Sequence, residues 1–159
     1  MGGQTRKKVV IHRFEKTPVA GFCDPASGID GQSVELLTPE GTAQSIPLAD
    51  IKVLCFVREF DGPGFDQEQR TFKTRPKTEG LWLRMQFRDN DFLEGIAPNN
   101  LLQLDPAGVT VSPPEASSNI TRIFAPKAAL RDCRVLGVVG AVAARKRKGP
   151  PTDQRGLFD

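Results

Sequence analysis

The chain has 159 residues, 38% of them hydrophobic and 26% charged, with a formal net charge of +3 and 3 cysteines. This is the balance of an ordinary globular protein, and it excludes a disordered chain or one built mainly of membrane spans. The length allows one domain of common size or two very small ones.

The N-terminal residues 1–8 carry Arg6, Lys7 and Lys8 and are expected to form a flexible basic arm. No uninterrupted apolar run of signal-peptide type follows, since Val9–Ile11 lead straight into His12 and Arg13, so a cytoplasmic protein is expected. Residues 9–57 then read as short strands. "VVIHRFEKTPVAGF" (9–22) leads into the turn-rich "CDPASGIDG", followed by "SVELLTP" (33–39), "SIPLADI" (45–51) and "VLCFV" (53–57). Gly, Pro and Asp punctuate these runs, and no amphipathic helical stretch occurs among them.

Residues 58–80, "REFDGPGFDQEQRTFKTRPKTEG", interrupt the pattern with five basic and five acidic residues. Phe60, Phe65 and Phe72 recur in this insertion, which a free linker would not need, so it is expected to pack over one half as a hairpin or short helix.

Residues 81–144 repeat the first pattern. "LRMQFRDNDFLEGI" (83–96) aligns with residues 9–22 without a gap and sets Gly95 against Gly21. The turn-rich "APNNLLQLDPAG" follows, then "VTVSPP", "RIFAPKAAL" and "VLGVV" (135–139), whose Val-Leu-x-x-Val spacing matches that of residues 53–57. Gly21 and Gly95 fall where a strand needs a sharp bend or a close backbone approach. The expected fold is all-β: two tandem small antiparallel barrels of about five strands each, with a central insertion and a flexible basic tail.

The tail, residues 145–159, carries Arg145, Lys146, Arg147, Lys148 and Arg155 against Asp153 and Asp159. Each end of the chain therefore holds a net +3, which leaves residues 9–144 at −3. The body is mildly acidic and only the ends are basic. The longest apolar stretch, "VLGVVGAVAA" (135–144), is far shorter than the roughly 20 residues a membrane helix needs, so no membrane contact is expected.

"EGLWLRMQFRD" and "RIFAPKAAL…VLGVVG" carry a resemblance, extending over about residues 6–140, to an uncharacterised bacterial family of duplicated small β-barrel proteins that stand alone or are joined to signalling domains. That resemblance implies no activity and no site residues. A looser similarity is to Sm-like barrels, in which a bent strand with a glycine precedes further short strands. It bears on fold alone. The cyclic-dinucleotide turn of PilZ domains is not matched by the spacing in "CDPASGIDG".

No pattern points to catalysis. His12 lies mid-strand with no nucleophile supplied by a motif, and reads as a packed or half-exposed strand residue. Asp89, Asp91 and Glu94 read as the solvated carboxylates of a hairpin turn, without the ligand spacing of a calcium loop. Cys23, Cys55 and Cys133 are expected to be buried reduced thiols, because no Cys-x-x-Cys pair exists and His12 is the sole histidine. No metal or cofactor is expected.

Two binding readings remain. The first is a non-enzymatic adaptor or regulatory module acting through protein contacts. Its candidate docking peptide is the C-terminal Gln154, Leu157 and Phe158, whose Gln-x-x-Leu-Phe spacing resembles the peptides that dock on the bacterial sliding clamp. The bland reading of Leu157 and Phe158 is that they cover a groove on the chain's own barrel. The second reading is nucleic-acid association, either by that clamp docking or by direct contact with DNA or RNA. Direct contact would use Arg145, Lys146, Arg147 and Lys148 with Arg6–Lys8 for phosphates, and Phe72, Arg75 and Trp82 for stacking.

Overall fold

The computed structural model describes residues 6–115 and 119–140. β-branched and aromatic runs separated by Gly, Pro and Asp turns form ten strands, and among the described residues there is no α-helix. The strands are β1 (Lys7–Arg13), β2 (Val19–Cys23), β3 (Ser33–Leu37), β4 (Ala43–Pro47), β5 (Ile51–Val57), β6 (Gly80–Phe87), β7 (Phe92–Ala97), β8 (Gly108–Val111), β9 (Ile120–Pro126) and β10 (Leu130–Val139).

They form two antiparallel sheets. One has seven strands in the order β4-β3-β2-β1-β5-β9-β8, and the other has three in the order β10-β6-β7. A single bridge between Ile96 and Ser112, made by two backbone hydrogen bonds of 2.9 Å, ties β7 to β8 where the sheets meet. Neither sheet closes on itself among the described residues.

The larger sheet crosses the expected boundary at residues 58–80, because β5 pairs with β1 on one side and β9 on the other. The reason lies in β5 itself. IKVLCFV is apolar on both faces, and six of its seven residues are buried, so it needs neighbours at both edges and cover on both sides. Leu54 and Phe56 point into one core with Val9, Ile11, Leu36 and Phe124, while Val53, Cys55 and Val57 point into a second with Met85, Phe87, Leu93 and Ile123. β9 divides in the same way, Phe124 joining the first core and Ile123 and Ala125 the second. This two-residue alternation is what a strand between two cores must show.

The segments 9–22 and 83–96 become β1–β2 and β6–β7, and in both the glycine lies directly across from the first aligned residue: Gly21 opposite Val9, Gly95 opposite Leu83. The Val-Leu-x-x-Val anchor does not hold. Phe56 lies opposite Val9 and Val135 opposite Leu83, so Val135 occupies the place of Phe56 rather than that of Val53. Two prolines do stand in like settings. Pro47 (φ −62°, ψ 137°) and Pro126 (φ −60°, ψ 145°) each end a strand and open a three-residue 3-10 turn, Leu48–Asp50 and Lys127–Ala129. A fixed φ and a missing N–H make proline the natural residue for that break.

The insertion is docked rather than free. Phe65 opens a short 3-10 turn, Phe65–Gln67, and is buried in the second core, edge-on to Phe87. Phe60 packs edge-on against Phe22 of β2. Of the cysteines, Cys23 and Cys55 are buried, whereas Cys133 is exposed, contrary to expectation, because β10 is the outermost strand of its sheet.

Candidate partner-binding site

The sequence-predicted contacts Arg145, Lys146, Arg147, Lys148, Gln154, Leu157 and Phe158 lie outside the described residues. Phe72, Arg75 and Trp82 are brought together on the smaller sheet. Phe72 meets the Trp82 ring edge-on with centroids 6.2 Å apart, and the Arg75 guanidinium lies 5.9 Å from that ring. Arg75 also donates to the Val138 carbonyl of β10 at 3.2 Å.

A carboxylate organises this cluster. Glu94 accepts hydrogen bonds from Trp82 Nε1 (3.1 Å), the Phe72 amide (3.2 Å) and Arg84 (3.3 Å). It is 7% exposed, and among the described residues it is the buried charged side chain. Reading Glu94 as a turn carboxylate was therefore wrong. The turn spans residues 88–91, and Glu94 lies inside β7 directly across from Arg84 of β6. Counting strand register outward from the turn would have revealed this cross-strand pair, since opposite charges facing one another are a common sheet contact.

Asp89 and Asp91 do sit at the turn, but they are not merely solvated. Lys52 of β5 donates to both at 2.8 Å, and Arg70 of the insertion donates to Asp91 at 3.1 Å. Burial works against charging Asp89 and Asp91, but hydrogen bonds from Lys52 and from the backbone amides of Asp91 and Phe92, with the charges of Lys52 and, at Asp91, Arg70, outweigh it and hold both below the usual carboxylate range. The bonds to these two carboxylates outweigh burial at Lys52 and raise it. Of these groups Lys52 and Asp89 line an open cleft of ≈ 840 Å³, together with His12, Arg13 and Arg88. His12 leans on Phe65 with ring centroids 5.6 Å apart, and burial pushes its imidazole below the ordinary value, towards the neutral form.

Sequence reading missed a third feature. β4 and β10 are the terminal strands of their sheets, so each presents backbone donors and acceptors that no described strand meets. On β10, Val135 is 58% exposed, Leu136 43% and Val138 40%. In sequence these residues look like interior ones, because "VLGVV" is a continuous apolar run. Only the sheet order puts them on an edge. Leu101 and Leu102, on the 3-10 turn after β7, add two more apolar side chains open to solvent. Exposed apolar surface of this kind marks interaction sites.

No curated protein and no solved structure matches the chain. A family model does match, over residues 5–137, a span that takes in every strand described except the last two residues of β10. The sheet order, the Glu94 cluster and most of the β10 edge thus fall within the matched span, and the chain belongs to that family, the family of unknown function DUF6982.

Proposed function

We propose that the chain is a non-catalytic adaptor or regulatory module, made of two five-stranded, Sm-like units in tandem (β1–β5 and β6–β10), that takes protein partners through its strand edges. Support for the two units comes from the glycines facing Val9 and Leu83 and from the prolines that open equivalent 3-10 turns. The observation that carries the function is β10, a ten-residue edge strand whose Val135, Leu136 and Val138 are open to solvent. An edge that long and that apolar is a template for strand addition, in which main-chain hydrogen bonds supply affinity and side-chain contacts supply selectivity.

The test is affinity capture on immobilised full-length chain after nuclease treatment, comparing the wild type with Leu136→Lys/Val138→Lys. Leu136 and Val138 are 43% and 40% exposed, and far-UV circular dichroism of the variant checks that it folds. Protein retained by the wild type and lost from the variant is the expected result, and equal retention by both overturns the reading. A second reading, nucleic-acid contact, draws on the Phe72, Arg75 and Trp82 cluster. It predicts retained DNA or RNA whose affinity falls steeply with salt, which an apolar strand contact does not.

A further inference from the structure

The two ends of the strand arrangement are counterparts of the two strands that join in its middle. β5 pairs with β9 antiparallel, setting Leu54 opposite Phe124, Cys55 opposite Ile123 and Phe56 opposite Arg122. Pro126 stands between β9 and β10 as Pro47 stands between β4 and β5, with the same cap geometry and the same three-residue turn. β10 meets β6 as β5 meets β1: Val135 faces Leu83 where Phe56 faces Val9, and Cys133 faces Met85 where Leu54 faces Ile11. β10 is thus the counterpart of β5, and β4 the counterpart of β9. The inner pair, β5 and β9, has its partner within the chain. The outer pair, β10 and β4, is at the sheet ends and has none among the described residues.

We propose that copies of this chain assemble head to tail, β10 of one pairing antiparallel with β4 of the next in the register that joins β5 to β9. This rests on the strand-edge reading above and names its occupant. Carried over residue by residue, the register sets Cys133 opposite Ser45 of the next copy, Arg134 opposite Gln44 and Val135 opposite Ala43. The surfaces suit one another. Ala43, Gln44 and Ser45 are exposed and uncharged, so they bring no like charge to Arg131, Asp132 or Arg134 and leave room for Val135. Pairing would give the β4 edge and the facing stretch of β10 their backbone partners and cover Val135, while farther along β10 the Val138 carbonyl already accepts from Arg75. Because the two edges differ, the contact is heterologous, and each copy added leaves a fresh β4 or β10 until a ring closes.

Cys133 supplies the test, being exposed while Cys23 and Cys55 are buried. Directly opposed residues of antiparallel strands lie about 4.5–5.5 Å apart at Cα, within disulfide reach. Full-length Ser45→Cys, treated with the thiol oxidant diamide, is expected to give a ladder of disulfide-linked species above the dimer on a non-reducing gel. Gln44→Cys, one position out of register, should give far less, and Ser45→Cys/Cys133→Ser none. Light scattering on the wild type is expected to show a mass above the monomer that rises with concentration and falls to the monomer in Val135→Lys. A wild type that stays monomeric, or equal cross-linking by Ser45→Cys and Gln44→Cys, overturns the assembly. If that happens while Leu136→Lys/Val138→Lys still abolishes capture of a different protein, self-pairing is lost and the strand-edge reading stands. If the double variant also leaves capture unchanged, both are lost.

Discussion

Glu94 does at the residue scale what the insertion cannot do for itself. Residues 58–80 contain charge and proline, and beyond the Phe60 and Phe65 contacts a single carboxylate holds the Phe72 amide and the Trp82 indole at once. Replacing it with Ala leaves two part-buried donors without an acceptor, a loss of about 1–3 kcal/mol on the usual scale for unsatisfied buried groups. Trp82 is the sole tryptophan, so its emission reports on the cluster. Glu94→Ala is expected to lower the unfolding free energy from urea titration by that amount, seen as a lower midpoint, and to shift the emission to longer wavelength. Glu94→Gln keeps an acceptor and should leave the emission close to that of the wild type. A Glu94→Ala emission unchanged from the wild type would show that the carboxylate does not hold the indole. The residue was visible in the sequence, but its role was not. A carboxylate close to a turn looks solvated until the register shows that it lies across from Arg84.

At the scale of the element, the glycines carry the geometry that aligning the two halves implied. A Cβ on Gly95 would lie 2.5 Å from Val111 Cγ2 and 2.7 Å from its Cβ, and one on Gly21 would lie 2.6 Å from the Leu37 carbonyl oxygen. β7 therefore runs against β8, and β2 against β3, at a distance only a bare backbone allows. Gly95→Ala is expected to cost about 1–3 kcal/mol by overpacking, read as a lower melting temperature. Because the closest clash is with Val111 Cγ2, Val111→Ala should recover part of the loss when combined with Gly95→Ala, the contacts with Val111 Cβ and with the Ser112 carbonyl oxygen (3.1 Å) remaining, and purely additive effects would show that Cγ2 is not the source of the strain. The positions of close approach were legible because glycine inside a strand pattern has few other uses. The last strand was legible as a strand but not in its alignment, since Val-Leu pairs recur by composition whereas the proline before a 3-10 turn is set by backbone geometry.

Considered whole, the molecule has two cores that share a wall. β5 and β9 turn alternate side chains to each core, and Phe124, from the second half of the chain, is buried among residues of the first. Neither half can bury its apolar residues alone. A single cooperative transition is therefore expected: urea unfolding followed by Trp82 fluorescence, which reports on the second half, should coincide with that followed by far-UV circular dichroism, which reports on both. Two separated transitions would mean that the halves are independent units despite the shared strands.

The all-β class, the turns, the glycines at close approaches and the docked insertion could be read from the sequence alone, because each depends on local chemistry: strand alternation, the bare backbone of glycine and the fixed conformation of proline, and aromatic residues that a free linker does not need. The pairing of β5 with β9, the burial of Glu94 and the exposure of Val135, Leu136 and Val138 were decided by tertiary structure. A strand's own sequence states which side chains are apolar. Which of its edges will find a partner depends on strands brought from far along the chain.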